Sequence, residues 1–191
     1  LSLDDPDLIH DMFNFRADFT IQLTRKVLEE IEVDFAVIAE DMAYKNGPHI
    51  SPAMYREFWF PHQGRVLDMI RKCGVETISF WNSGDLRPLL PAIAEAGFNC
   101  VWPVEDVAGM NAPQLRKEWD QEFRLVGNIA KEVLMKDKET VRREVFTKVP
   151  ELLASGGYLP CVDDQMPLEV PFENYVYYTE LLKDLSREIC G

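Results

Sequence analysis

The sequence predicts an α/β fold in which parallel strands alternate with helices. Short apolar runs recur along the 191 residues, each closed by turn residues and followed by a helical pattern. The pattern contains no adjacent hairpins, so we expect parallel pairing with right-handed crossovers. Because 47% of the residues are hydrophobic, the chain can bury a real core, and we interpret residues 1–191 as a single domain.

The strands are predicted from apolar runs that end in polar loops. The run Phe35–Ala39 ends abruptly at Glu40 and Asp41, and a continuous apolar run of this kind is typical of a strand buried on both faces of a parallel sheet. About five strands are predicted in the same way, at residues 35–39, 75–80, 98–102, 123–126 and 158–162.

The helices are predicted from apolar residues spaced three and four apart. Asp4, Asp5 and Pro6 are expected to cap the first helix, and Ser51 with Pro52 the second, which Pro61 interrupts. The predicted helices cover residues 8–30, 52–72, 86–96, 112–120, 138–154 and 172–189.

Two architectures fit this alternation, a doubly wound open sheet and a piece of a (β/α)8 barrel. A doubly wound nucleotide binder would carry a glycine fingerprint at a strand-to-helix turn, and none is present. A full barrel needs about 250 residues, so we interpret the chain as the C-terminal part of a (β/α)8 TIM barrel, about five βα units. Such an arc has two unpaired edges and one uncovered face. We therefore expect a homo-oligomer, or a fragment that needs the missing N-terminal units, and the start at Leu1 rather than Met is consistent with a fragment.

The composition restricts the classes of partner and substrate that the chain is expected to bind. A net charge of −13 opposes binding to nucleic acid, to an anionic membrane, or to an anionic substrate unless basic residues are concentrated locally. The cysteines Cys73, Cys100, Cys161 and Cys190 are widely spaced, which favours reduced thiols. With no signal peptide and no apolar run near the roughly 20 residues of a membrane helix, we predict a cytoplasmic protein.

Acidic residues follow several predicted strands. The pairs are Glu40-Asp41, Glu105-Asp106 and Asp163-Asp164, and Asp85 follows another strand. Because the carboxyl ends of parallel strands meet at one edge, we expect these side chains at a common rim. Crowded carboxylates raise one another's pKa or recruit a cation, so the rim is a candidate metal site or general acid/base pair. The alternative is that some of them cap helices or pair with Lys45, Arg87 and Lys131.

Other residues at the rim are candidates for ligand contact. Cys161 and Asp163 are the candidate metal ligands, with zinc as the metal, although a buried core thiol is the alternative for Cys161. The candidate substrate-binding residues are Tyr44, Trp81, Asn82, Glu105 and Asn128. Packing of the aromatic rings and completion of a turn by Asn128 stay open as structural alternatives.

Four stretches together resemble one known family. They are AEDMAYKNGPHISPAMYREFWFPH, the SGD turn with its helix, RLVGNIAKEVL, and GGYLPCVDDQMPLEVPFENYVYY. In this order they resemble the uroporphyrinogen decarboxylase superfamily of (β/α)8 barrels, which includes porphyrinogen decarboxylases and corrinoid-linked methyltransferases. The match falls on the C-terminal portion of that family. Its N-terminal portion, with the arginines and aspartate used in decarboxylation, has no counterpart here.

The sequence also departs from the family pattern. Members that transfer methyl groups to thiols have a zinc-binding His-x-Cys where this chain has Trp81-Asn82-Ser83. Decarboxylases carry a histidine near the last strand end, where this chain has Asp163-Asp164.

The resemblance implies an enzyme, and three hypotheses follow. The first is methyl transfer from a small methylated donor to a corrinoid, carried by a partner protein, or a similar acceptor. There Glu40, Asp41 and Asp164 would bind a metal or protonate the donor oxygen. The second is uroporphyrinogen decarboxylation, and the third is a non-catalytic half-barrel that binds a partner. Because only Lys45 and Arg87 lie near the acidic rim, a neutral or cationic methyl donor is favoured over a polycarboxylate.

Overall fold

A parallel sheet with a layer of helices on one face forms the centre of the molecule. The computed structural model describes residues 2–191. The strands of that range are β1 (Phe35–Ala39), β2 (Ala43–Tyr44), β3 (Gly47–Pro48), β4 (Thr77–Trp81), β5 (Cys100–Val104), β6 (Arg124–Ile129) and β7 (Tyr158–Val162). The main sheet has the order β1-β4-β5-β6-β7, and every neighbouring pair is parallel. This arrangement confirms the predicted α/β arc of a (β/α)8 barrel.

The helices follow the apolar periodicity of the sequence. They are α1 (Pro6–Leu28), α2 (Pro52–Met54), α3 (Phe60–Lys72), α4 (Leu90–Ala96), α5 (Ala112–Trp119), α6 (Lys138–Ser155) and α7 (Phe172–Cys190). Asp5 caps α1 through the Leu8 N–H, at 3.1 Å. A π-helical turn, Tyr55–Trp59, joins α2 to α3 directly before Pro61, so the helix widens there instead of being interrupted as predicted. The Phe60 N–H donates to the Tyr55 carbonyl, five residues back.

The expectation of no adjacent hairpin was wrong at one place. Strands β2 and β3 pair antiparallel in the loop that follows β1, and each has two residues. Gly47 makes the turn possible because its φ of 122° is a backbone conformation that side chains rarely adopt. The hairpin is separate from the main sheet and covers part of the rim, so the parallel order of the main strands is unaffected.

The two faces of the sheet differ in burial. Ile78 and Phe80 of β4 face the helices and are fully buried. On the opposite, concave face, Phe35 is 55% and Leu159 is 62% exposed. The prediction that β1 is buried on both faces is therefore wrong in this chain, because β1 lies at a sheet edge and helices cover one face alone. The predicted unpaired edges and uncovered face are confirmed.

The concave face encloses an open space of about 480 Å³. Its lining includes Phe35, Thr77, Arg124 and Leu159, which lie at or near the amino ends of their strands. The polar residues that follow the strands lie at the opposite, carboxyl end. The concave space reaches toward the rim, because Trp102 of β5 and Cys161, near the carboxyl end of β7, also line it.

Candidate functional site

Polar contacts connect the loops that follow neighbouring strands. The Asp106 N–H, after β5, donates to Asp163, after β7, at 3.0 Å. The Gly84 N–H, after β4, donates to the Glu105 carboxylate at 2.5 Å. The carboxyl ends of β4, β5 and β7 thus meet at one rim, as their parallel directions require.

Asp163 ties three of these loops together. It is fully buried, and its second oxygen accepts the Lys131 N–H at 3.1 Å, after β6. Burial raises the pKa of Asp163 to about 6, although the two backbone donors work in the opposite direction. Both carboxylate oxygens accept hydrogen bonds from the protein backbone, so Asp163 links the three loops.

Lys148 forms the centre of a second set of contacts. This lysine of α6 is 8% exposed and donates to Asp106 at 2.7 Å, to the Asn128 carbonyl at 3.0 Å and to Glu144 at 2.5 Å. Burial works to lower the pKa of Lys148, but its hydrogen bonds to the two carboxylates outweigh burial and raise it. Sequence reasoning missed this residue. The signal was a lysine on the same helix face as Val141 and Val145, which are buried.

Asp164, a predicted catalytic residue, forms an ion pair with Lys131. Burial works to raise the pKa of Asp164, but the hydrogen bond from Lys131 outweighs it, and the pKa lies below its ordinary value. Asp85 behaves similarly, because Arg87 donates to its two oxygens at 2.8 and 2.7 Å and holds the pKa of Asp85 low. These pairs match the structural alternative raised for the rim acids.

Two predicted ligand-binding amides are used by the protein itself. Asn82 is fully buried, accepts the Met42 N–H at 2.5 Å and so attaches the hairpin to the end of β4. Asn128 is also fully buried; it accepts the Ala112 N–H at 2.9 Å and donates to the Met110 carbonyl at 2.6 Å. Their role in substrate binding stays a prediction, and neither amide is exposed to a ligand.

Glu105, another candidate contact, supports the turn after β4. Its carboxylate holds the Gly84 N–H, and Gly84 has a φ of 93°. A Cβ at Gly84 would lie 2.5 Å from the Cα of Tyr44, so this turn and the hairpin need glycine here. Glu105 therefore stabilises the turn after β4, against which the hairpin packs.

Glu40 lies on the helix side of the sheet. Arg16 of α1 donates to it at 2.6 Å and Gln63 of α3 at 2.9 Å, and Tyr55 in turn donates to Gln63 at 2.6 Å. Its side chain is 8% exposed. A small cavity of about 60 Å³ lies beside it, between α1 and α3. The catalytic role predicted for Glu40 is untested, and these contacts are those of a structural ion pair.

Asp41, unlike Glu40, has no partner among the described residues. Strand β1 ends at Ala39, two residues before Asp41, and continued alternation of side chains predicts the concave side for Asp41. It is exposed and makes no hydrogen bond or ion pair with residues 2–191. Tyr44 is 51% exposed and stacks on His49 with ring centroids 4.6 Å apart.

Trp81 ends β4 and is half-buried. With Asp41 and Tyr44 it forms what we call the open mouth. Their side chains stay available to a ligand, as does that of the half-buried Cys161, which lines the concave space.

The candidate zinc ligands do not form a metal site. Burial, and then the charge of Asp163, raises the pKa of the half-buried Cys161 thiol to about 11, so it is neutral at physiological pH. Both Asp163 oxygens already accept backbone N–H groups. No group of three His, Cys, Asp or Glu side chains between residues 2 and 191 is placed to hold a metal ion. These residues do not fit zinc, and no step is assigned to it.

The described part of the chain has no helix with a stretch long and apolar enough to cross a bilayer. An arc of parallel strands with its polar side chains at the carboxyl ends defines a partial (β/α)8 barrel with a rim-type site. The chain belongs to the uroporphyrinogen decarboxylase (URO-D) family, which matches residues 1–185.

Curated relatives are similar over much of the chain. A protein named uroporphyrinogen decarboxylase from Thermus thermophilus is 29% identical over 141 residues, which is 72% of this chain and 38% of the relative. Proteins of the same name are 28% identical over 145 residues in Carboxydothermus hydrogenoformans and 23% identical over 189 residues in Gloeobacter violaceus. The match to the Carboxydothermus protein covers 72% of this chain and 38% of the relative. The match to the Gloeobacter protein covers 97% of this chain and 51% of the relative. The chain thus spans 38–51% of the length of these relatives.

Proposed function

We propose that the chain is part of an enzyme that transfers a methyl group from a small neutral or cationic donor bound at the open mouth. The observation that carries the proposal is the pairing of the basic side chains at the rim. Arg87 is held by Asp85, and Lys131 by Asp164. Lys148 is held by two carboxylates and is buried, so it is not available to an anionic substrate either.

A polycarboxylate substrate is disfavoured by this pairing. An anion at the rim would have to compete with these carboxylates for their cations. Breaking the pairs of the buried Lys148 would cost about 3–5 kcal/mol. The pairs of Arg87 and Lys131 are partly exposed, and breaking each of them costs less, about 0–1 kcal/mol. Lys45 in the hairpin is exposed and has no polar partner among residues 2–191, but a single exposed lysine gives weak attraction. A neutral or cationic donor meets no such cost.

Asp41 is the residue that we assign to the donor. With a methyl ether as donor, the methyl carbon forms a bond to the acceptor, the carbon–oxygen bond breaks and its electron pair goes to the oxygen. Asp41 relays to that oxygen the proton that it needs, which is replaced from solvent. Asp41 is suited to this role because it is exposed at the mouth and has no protein partner in the described range.

The acceptor in this proposal is a corrinoid carried by a partner protein. It is a substrate that approaches the mouth from outside, so no residue of this chain is assigned to hold it. We further propose that βα units beyond this arc, or a second copy of the chain, cover its free edges in the working enzyme. The exposed Phe35 and Leu159 on the concave face favour such a cover.

Decarboxylation of a porphyrinogen is the second candidate, and the names of the curated relatives favour it. In that reaction an acid of the mouth would protonate the pyrrole carbon, and arginines from outside this chain would hold the side-chain carboxylates. Arg87, Lys131 and Lys148 are paired. The cations that residues 2–191 leave unpaired at the mouth and the concave space are the exposed Lys45 and Arg124, which lines that space. Holding several carboxylates would therefore require further basic residues from outside this chain.

An assay with two substrates tests the proposal. The purified chain is incubated with free cob(I)alamin and methyl phenyl ether, and methylcobalamin is followed by absorbance; uroporphyrinogen consumption is followed separately. We expect methylcobalamin to form, and the Asp41→Asn variant to lose at least about 100-fold in rate. Asp68→Asn, an exposed aspartate on α3, is the matched control and should keep full activity. Uroporphyrinogen consumption without methyl transfer would establish the second candidate instead.

Sedimentation addresses the non-catalytic alternative. A stable monomer that is inactive with both substrates and binds neither would leave a scaffold role for the half-barrel. We expect instead a self-associating species, because β1 and β7 both have unpaired edges.

A further inference from the structure

Two tryptophans lie side by side across the sheet. In the register of the parallel strands, Ala39 of β1 is the partner of Trp81 in β4, and Trp81 is the partner of Trp102 in β5. Partners in neighbouring strands project to the same face at the same level. A small residue and two indole rings therefore form one continuous row.

This row lies on the concave face. Alternation places it on the side opposite the fully buried Ile78 and Phe80, and Trp102 lines the concave space. Both tryptophans are half-buried, and neither indole N–H has a hydrogen-bond partner among the described residues. Buried indoles normally find such a partner, so these rings are presented to the open side of the sheet and not fixed within a core.

The Asp41 carboxylate, unpaired within residues 2–191, follows the strand that contributes Ala39 to this row. Asp41 follows the end of β1 by two residues, and continued alternation of side chains predicts the same face as Ala39. Ala39 is small and exposed, so its side chain does not cover the neighbouring Trp81 ring.

Aromatic faces together with a carboxylate select positive charge. A ring face attracts a cation within about 6 Å of its centroid, and tryptophan does so most strongly. The net charge of −13 adds a field that draws cations toward the molecule, against the local repulsion of Arg124, which lines the same concave space as Trp102. The arrangement offers little to a neutral ether beyond apolar contact.

We propose that the methyl donor is a small methylated ammonium ion, bound with its methyl groups against Trp81 and Trp102 and its charge facing the Asp41 carboxylate. This inference rests on the proposed methyl transfer and narrows its donor class from neutral or cationic to cationic. It also assigns Trp102, which no sequence motif singled out, as a residue that determines specificity.

The reaction balances without a proton from the protein. The methyl carbon bonds to the nucleophilic acceptor, the carbon–nitrogen bond breaks, and its electron pair stays on nitrogen. A quaternary donor such as choline leaves as a neutral tertiary amine. Loss of the positive charge removes the cation–π attraction and the attraction to Asp41, so the product is released more readily than the donor is held.

Calorimetric titration of the purified chain with choline and with 3,3-dimethylbutan-1-ol tests the charge selection. The two molecules have nearly the same shape, but only choline is charged. We expect choline to bind about tenfold more tightly, the effect of one good cation–π contact. Equal affinity for the two would overturn the inference, and this comparison needs no variant.

Substitutions of the tryptophans and of Asp41 test where choline binds. Trp81→Leu and Trp102→Leu should each weaken choline binding about fivefold to tenfold, whereas Trp81→Phe should keep most of it. Asp41→Asn should weaken choline binding but leave 3,3-dimethylbutan-1-ol unchanged. Trp119→Leu, whose ring packs on Phe123 away from the concave face, is the matched control and should bind choline normally. Unchanged choline binding in Trp81→Leu and Trp102→Leu would overturn the site.

The methyl-transfer assay separates this inference from the function on which it rests. Demethylation of methyl phenyl ether, with no binding or demethylation of choline, would overturn the ammonium donor and leave methyl transfer standing. Selective choline binding that the tryptophan variants abolish, together with choline-dependent methylcobalamin formation, would establish both. Failure of every donor in the assay would count against the proposed function, while the titration still decides whether the site selects cations.

Discussion

The rim has two regions, and they use their acidic residues differently. After β5, β6 and β7, every acid of the predicted pairs is engaged: Asp106 by Lys148, Asp164 by Lys131, and Asp163 by two backbone N–H groups. After β1, Asp41 is exposed and has no partner within residues 2–191. The same pattern in the sequence, an acid pair following an apolar run, thus gives a structural network in one region and a free carboxylate in the other.

The position of each strand in the sheet accounts for the difference. The loops after β5 and β6 have neighbours on both sides and α6 behind them, which supplies Lys148 and Glu144. Strand β1 is an edge strand, so its exit loop has a neighbour on one side. The paired region holds the loops of the rim together, and the free region contains the side chains that we assign to the methyl donor.

The largest expected effect comes from breaking the paired region. Lys148→Met removes the buried cation and leaves the carboxylates of Asp106 and Glu144 without their partner. We expect a loss of about 3–5 kcal/mol in the free energy of unfolding, measured by urea denaturation. Lys183→Ala, at an exposed position of α7, should change it by less than about 0.5 kcal/mol. If the two variants were equally stable, the network would have no structural role.

The second prediction concerns the pH dependence of Asp163. Its pKa is about 6 in the folded protein, against an ordinary value of 3.8, so the folded state binds this proton more tightly than the unfolded state does. The resulting stabilisation is fully present below pH 3.8 and is lost as the pH rises to about 6. Relative to Asp163→Asn, the wild-type free energy of unfolding should fall by about 3 kcal/mol over that range.

Comparing the two proteins at each pH removes the contribution of the other acids. The lost hydrogen bond in Asp163→Asn shifts the whole curve but not its slope. Asp85 and Asp164 have lowered pKa values and give both proteins the opposite slope below pH 4. A difference curve that rises between pH 4 and 6 would show that the backbone donors outweigh burial at Asp163.

Much of the fold could be predicted because its signals are local. The strands at residues 35–39 and 158–162 were predicted with the observed bounds, since each is an apolar run between clear turn residues. The third was placed two residues early, at 98–102 instead of 100–104. Phe98 is apolar because it packs on Phe80, with ring centroids 5.0 Å apart, and not because it pairs in the sheet.

The site was less predictable because its contacts are distant in sequence. The acids at the strand ends could be identified, but Lys148 is 42 residues from Asp106 and 20 from Asn128. Neighbouring residues in an extended chain also point to opposite faces. Glu40 therefore contacts Arg16 in the helix layer, and the same alternation predicts the concave side for Asp41. Sequence can propose that acids gather at a rim, but packing decides which of them remain free.

A third prediction tests the boundary between the two regions. Asn82→Ala removes the acceptor for the Met42 N–H and leaves that buried donor unsatisfied. We expect a loss of about 1–3 kcal/mol in the free energy of unfolding. Asn46→Ala, at an exposed position of the hairpin, should cost less. Equal effects would mean that the hairpin is held by the mouth residues and not by Asn82.

The smallest effect on stability is expected at Asp41. Asp41→Asn should change the free energy of unfolding by less than about 0.5 kcal/mol, because the side chain is exposed and has no partner within residues 2–191. Asp164→Asn, which weakens the pair with Lys131, should cost more in the same urea titration. A stable Asp41→Asn protein that has lost methyl transfer would assign Asp41 to chemistry. Loss of stability equal to that of Asp164→Asn would show instead that both regions of the rim serve the fold.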